Sequence, residues 1–139
     1  MSDKFFIDTN IIVYANDASS VLKNQIAKNI ILSGIHNDNI VISAQVLSEF
    51  YVTVTRKIKK TLKPEIALQE IELLRSVEII EIDYDLIIQA IELSLKFQLS
   101  YWDSLIIATA LNSKCSILYT EDLSHNQIIE GLRIVDPFR

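Results

Sequence analysis

Four acidic residues, Asp8, Glu49, Asp103 and Asp122, stand where strand-like apolar runs give way to helix starts or turns. The stretches are Phe5-Phe6-Ile7-Asp8-Thr9-Asn10, Val41-Ile42-Ser43-Ala44 leading to Glu49, Leu99-Ser100-Tyr101-Trp102-Asp103, and Ile117-Leu118-Tyr119-Thr120-Glu121-Asp122. In a parallel α/β fold such junctions share one edge of the sheet, outside the carboxyl ends of the strands. Carboxylates distant in the chain can therefore meet. Two bare carboxylates about 5 Å apart repel by roughly 3 kcal/mol at an effective dielectric of about 20. A site that gathers three or four of them needs a cation, and the pattern points to a hard metal ion.

Each acid also has a purely structural reading. Asp8 can cap a helix and close a turn. Asp103 completes the capping-box spacing Ser100-Tyr101-Trp102-Asp103, and an acid in a first helical turn gains about 0.3–1 kcal/mol from the helix dipole. The helix it opens is apolar on every side, which places Asp103 at a partly enclosed cleft. Glu49 lies off the Leu47/Phe50/Val54 stripe, as a surface residue would, and shares its face with Thr53, Arg56 and Lys60. The basic run Arg56-Lys57-Ile58-Lys59-Lys60 is either a solvated face or a set of phosphate contacts. Glu121 and Asp122 both follow the same strand, and either can reach the edge or serve a turn.

The elements that must position these groups follow from periodicity. Lys4 to Ile7 reads as a buried strand, followed by a brief helix from Asn10 to Ala15. Val21 to Leu32 is a helix expected to stop at Gly34, and Asn39 to Ile42 is a strand. Leu47, Phe50, Tyr51, Val54 and Ile58 mark one face of a long amphipathic helix. Pro64 opens a helix to about Ser76. Val77 to Ile82 is a strand, Asp83 to Gln98 a helix, and Trp102 to Leu111 a central buried helix. Ser116 to Tyr119 and Leu132 to Val135 complete the strands. The alternation predicts an α/β domain with three α/β/α layers and a parallel sheet of about five strands.

With 139 residues, half of them hydrophobic and only two Gly and two Pro, the chain is expected to form one domain over residues 1–139. A net charge of −5 argues against a general polyanion-binding surface and leaves room for a local basic patch. The single Cys115 excludes a disulfide framework, and His36 and His125 lack partners at zinc-ligand spacing. No Gly-rich phosphate loop, Gly-x-Ser-x-Gly elbow or Cys/His pair is present. Charges at Asp3 and Lys4 come too early for an export signal, and no apolar run has the length of a membrane span. The expected location is the cytoplasm.

Taken together these residues resemble the PIN-domain family, and within it the VapC-type toxin ribonucleases. The likeness is carried by Phe6-Ile7-Asp8-Thr9-Asn10, Ser48-Glu49-Phe50, the block Tyr101-Trp102-Asp103-Ser104-Leu105-Ile106-Ile107-Ala108-Thr109-Ala110, and Tyr119-Thr120-Glu121-Asp122-Leu123. The ending from Gly131 to Phe138 is similar to the family's last strand. The resemblance implies an endoribonuclease dependent on Mg²⁺ or Mn²⁺. It places Asp8, Glu49 and Asp103 at the family's three central acids and Asp122 at the fourth, with Glu121 as a less well aligned substitute. It implies supporting roles for Asn10, Thr120 and Asn126, a homodimer, and a small antitoxin that blocks the acidic cleft. Arg56, Lys57, Lys59 and Lys60 are candidates for the RNA backbone. Mg²⁺ fits such donors, since it binds a few carboxylates, keeps waters and meets substrate phosphate.

Two rivals remain at this level. A phosphatase-like domain would use Asp8 as a nucleophile, although the usual second Asp two residues on is Asn10 here. A non-catalytic domain would use the acids to hold a basic peptide.

Overall fold

The computed structural model describes residues 3–139, so Met1 and Ser2 of the opening segment lie outside it. Six strands form one sheet: β1 (Phe5–Ile7), β2 (Ile40–Ser43), β3 (Glu78–Ile80), β4 (Ile117–Tyr119), β5 (Ile128–Ile129) and β6 (Leu132–Val135). Their order is β3-β2-β1-β4-β6-β5. Five strands are parallel, as the alternation of elements predicts; β5 pairs antiparallel with β6. Between them run α1 (Thr9–Ala15), α2 (Val21–Asn37), α3 (Ala44–Arg56), α4 (Pro64–Leu73), α5 (Tyr84–Phe97) and α6 (Tyr101–Asn112).

The chain steps from β1 outward to β2 and β3, then returns past β1 to β4. Right-handed crossovers in opposite directions put their helices on opposite faces of the sheet. Accordingly α1 to α4 pack among themselves, and α5 packs on α6. Phe6, Ile7, Val41, Ile42 and Leu118 are fully buried between these layers. The reversal of direction beside β1 opens a crevice at the carboxyl ends of β1 and β4. That is where ligands enter open parallel sheets.

Several local expectations need correction. α2 does not stop at Gly34 but continues to Asn37, where Asp38 adopts a left-handed conformation with φ 54°. Gly34 answers to packing: a Cβ there would come within 2.6 Å of Ile40 Cβ and Phe5 Cζ. α3 ends at Arg56, so the stripe extrapolated to Ile58 outruns the helix. Pro64 does sit in the first turn of α4, but that helix closes at Leu73 and a 3₁₀ turn covers Leu74–Ser76. β3 is only three residues long, shorter than the alternating run Val77–Ile82 suggests. The short β5 is an addition. It turns into β6 through Glu130 and Gly131, both with positive φ (54° and 89°), as a tight two-residue hairpin demands.

Candidate active site

Asp8 leaves β1 as the N-cap of α1, and the residue is only 6 % exposed. The Thr9 N–H donates to Oδ1 at 2.7 Å and the Thr120 hydroxyl donates to Oδ2 at 2.8 Å. The second bond follows from sheet register, because Ile7 pairs with Tyr119 and brings the next residues of each strand together. Burial pushes the Asp8 carboxyl from 3.8 up to about 6, against the lowering pull of both hydrogen bonds. The charges of Asp122 and Glu49 add to the rise. Repulsion among these groups is thus already felt within the fold.

Thr120 is fully buried and acts as a hub. Its hydroxyl oxygen accepts from the Asp122 N–H at 3.1 Å and from Asn10 Nδ2 at 3.4 Å. Asn10 Nδ2 also donates to Asp122 Oδ2 at 3.1 Å. Burial, then the charges of Glu121, Asp103 and Asp136, raise the Asp122 carboxyl above its ordinary value, partly offset by the Asn10 bond. Glu49 projects from the second turn of α3 and accepts from the Thr9 hydroxyl at 3.0 Å. Asp103 sits in the first turn of α6, whose N-cap Ser100 accepts from the Asp103 N–H at 3.1 Å. That is one half of a capping box. Among the described residues the carboxylate returns no bond, and it lines the cleft instead.

Asp8, Glu49, Asp103 and Asp122 all line one open cleft of about 380 Å³. Lys57 lines it too, the one member of the basic run that does; Arg56, Lys59 and Lys60 lie exposed outside. The bend after Arg56 breaks the helical phase that aligned Lys60 with Glu49, while Arg56, still within α3, stays exposed outside the cleft. Glu121 turns away from the cleft. Its Oε1 accepts from the Tyr14 hydroxyl at 2.6 Å, and its Oε2 pairs with Lys23 Nζ at 3.1 Å. Asn126 is not among the lining residues. Its φ of 69° and its N–H bond to the Ile134 carbonyl (2.7 Å) make it a turn residue before β5. His125 likewise serves the backbone, accepting from the Asp136 N–H at 3.0 Å.

Sequence reasoning overlooked Gln45, and it named Ser48 and Trp102 only within the family-like stretches, with no role on the cleft wall that all three line. Gln45 follows β2 by two residues, so its closeness to the strand end was the available signal.

The donors suit a hard divalent cation, being oxygens throughout. Among the described residues no three acid, His or Cys side chains already converge as a closed ligand cage. One buried atom fits the cation reading: Asn10 Oδ1 has no hydrogen-bond partner, although its amide nitrogen is engaged with Thr120 and Asp122. A hydrated ion would bring it a donor.

The PIN domain family model matches residues 5–130, nearly the whole chain. The chain belongs to the PIN-domain family. Solved structures similar to this PIN domain include VapC20 of Mycobacterium tuberculosis, described as a sarcin–ricin-loop-cleaving toxin. It aligns with a TM-score of 0.70 and 20% identity over 86% of this chain and 90% of its own. A toxin–antitoxin complex from Klebsiella pneumoniae aligns at 0.68 and 20% identity, over 96% and 98% of the two chains. VapBC2 of Rickettsia felis, bound to a DNA fragment from its promoter, aligns at 0.68 and 24% identity, over 94% and 96%. At these identities the likeness carries the PIN fold. No curated protein matches by sequence.

Proposed function

We propose that this PIN domain is a Mg²⁺- or Mn²⁺-dependent endoribonuclease, acting in the cytoplasm as the homodimeric toxin of a toxin–antitoxin pair. The carrying observation is the shared cleft: four carboxylates from four separate strand ends or helix starts line one crevice at the sheet's change of direction. The similar structures lend support, since one is a sarcin–ricin-loop-cleaving toxin and another is a toxin–antitoxin complex.

Asp8, Glu49, Asp103 and Asp122 are the residues that would hold the ion. A divalent ion bound there supplies Lewis acidity toward the phosphate and a nucleophile at neutral pH. The chain's own groups do the positioning. Thr9 and Thr120 fix both Asp8 oxygens, the Thr9 hydroxyl fixes Glu49, and Asn10 orients Asp122. Lys57 at the cleft wall offers a cation to the phosphodiester, and the exposed Arg56, Lys59 and Lys60 extend positive charge along the strand. This arrangement reconciles a net charge of −5 with a polyanionic substrate. The phosphoaspartate alternative gains no support: the second Asp it wants two residues beyond Asp8 is Asn10, whose amide nitrogen is engaged with Thr120 and Asp122.

The test is sequencing of RNA ends after induced expression of the wild type beside Asp8→Asn, followed by cleavage assays of both purified proteins with and without Mg²⁺. New RNA ends that require Asp8 and Mg²⁺ are expected. Equal cleavage by Asp8→Asn and Asp103→Asn, both folded by circular dichroism, would refute the site.

A further inference from the structure

A second cavity, of about 630 Å³, adjoins the acidic cleft and takes no part in the steps above. Much of its lining is apolar, with Ile82, Ile87, Tyr101 and Leu105 contributing. Gln45, Ser48, Glu49 and Trp102 border both cavities, so the two are immediate neighbours. Trp102 is the seam. It is the chain's single tryptophan, and it stays 62 % exposed although α6 is buried from Ser104 to Ala110. The Tyr101 ring braces it edge to face, with centroids 5.0 Å apart and planes at 71°. A large flat apolar surface is thereby held beside four carboxylates at the expense of core burial.

Gln45 supplies an independent observation. Its Nε2 donates to the Trp102 carbonyl at 3.5 Å, while its Oε1 is sealed from water and has no partner. An acceptor left unmet inside a protein is costly, which favours any turn of the Gln45 amide that brings its oxygen to a donor at the seam. The needs of the two groups differ in kind: a planar π surface to face, and a hydrogen-bond donor at the edge. A nucleobase carries both.

We propose that this pocket receives an unpaired nucleobase, stacked on Trp102 and donating its exocyclic amino group to Gln45 Oε1. The base belongs to the RNA strand whose phosphate lies in the acidic cleft, so the proposal rests on the ribonuclease reading and extends it to cleavage-site selectivity. Adenine, cytosine and guanine offer the amino group; uracil presents carbonyl oxygens in its place and is disfavoured. Binding in this way requires the Gln45 amide to rotate, giving up its long 3.5 Å bond to the Trp102 carbonyl and turning its oxygen to the base.

The test compares the wild type, Trp102→Ala, Trp102→Phe and Gln45→Leu. Cleavage kinetics are measured on RNA substrates that differ only in the base next to the cut. Indole emission of the wild type is titrated with oligoadenylate, oligocytidylate and oligouridylate in EDTA. Loss of a stacked base is expected to raise KM about 10- to 100-fold in Trp102→Ala, with most of the affinity kept in Trp102→Phe. Wild-type emission is quenched saturably, more tightly by oligoadenylate and oligocytidylate than by oligouridylate, and Gln45→Leu loses the matching preference in KM. An unchanged KM and cleavage pattern in a Trp102→Ala protein that still cleaves RNA overturns the pocket alone. Absence of both cleavage and quenching in the wild type overturns the ribonuclease reading with it. If Trp102→Ala changes only the elution volume on gel filtration, the face is a protein interface and the base pocket is overturned.

Discussion

Asp8→Asn is expected to make the metal-free protein more stable at neutral pH while removing its activity. The Asp8 carboxyl is raised from 3.8 to about 6 by burial, so its ionised form is disfavoured in the fold relative to the unfolded chain. A raised acid destabilises the folded state fully above its folded value and not at all below its unfolded one. The gap corresponds to about 3 kcal/mol of destabilisation at pH 7.5. Asn removes the charge and still caps α1 through its carbonyl oxygen, a role Asn fills as well as Asp. It gives up the charged acceptor for the Thr120 hydroxyl, which costs about 1 kcal/mol. The net gain is about 2 kcal/mol, or a Tm increase of roughly 5 °C for a chain of this size. Thermal unfolding in EDTA, followed by circular dichroism at pH 7.5 and again near pH 4, measures both terms. The advantage should shrink as pH falls through 6 and vanish or reverse near 4. An Asp8→Asn protein no more stable than wild type at pH 7.5, or an advantage that does not change with pH, would refute the reasoning.

Lys57→Ala should raise the KM for RNA and lower the slope of log KM against log salt by about 0.7, as expected for one lost phosphate contact. Lys59→Ala and Lys60→Ala, both outside the cleft, should change each less. Glu121→Ala breaks the Tyr14 and Lys23 bonds and should cost about 1 kcal/mol in urea unfolding, while RNA cleavage persists because its carboxylate faces away from the cleft. Gly34→Ala sets a methyl group 2.6 Å from Ile40 and Phe5 and should lower the urea midpoint by an amount worth about 1–3 kcal/mol, despite the better helix propensity of Ala.

The elements most visible in the sequence were those whose local pattern and tertiary fate agree. Phe5-Phe6-Ile7 ending in Asp8 reads as a buried strand and a cap, and it is both. The evenly apolar run from Trp102 is a buried helix for the reason its composition suggests. Gly34 misled because a glycine needed for close packing looks the same in one dimension as a glycine that ends a helix. β5 was missed because two residues carry no period; only the Glu130-Gly131 turn hinted at it. The helical phase that put Lys60 on Glu49's face did not survive the bend after Arg56.

The residues alone determined the cast: acidic side chains at strand ends and helix starts, and an alternation of elements that predicts a mostly parallel sheet. They could not choose between Glu121 and Asp122, which are neighbours in the chain and point to different partners in space. Nor could they say which of four basic residues meets the acids, or that Thr120 ties Asp8 to Asp122. Those outcomes depend on the register of β1 against β4 and on where α3 stops. Direction of a side chain is a property of packing, and periodicity carries no record of it once a helix or strand ends.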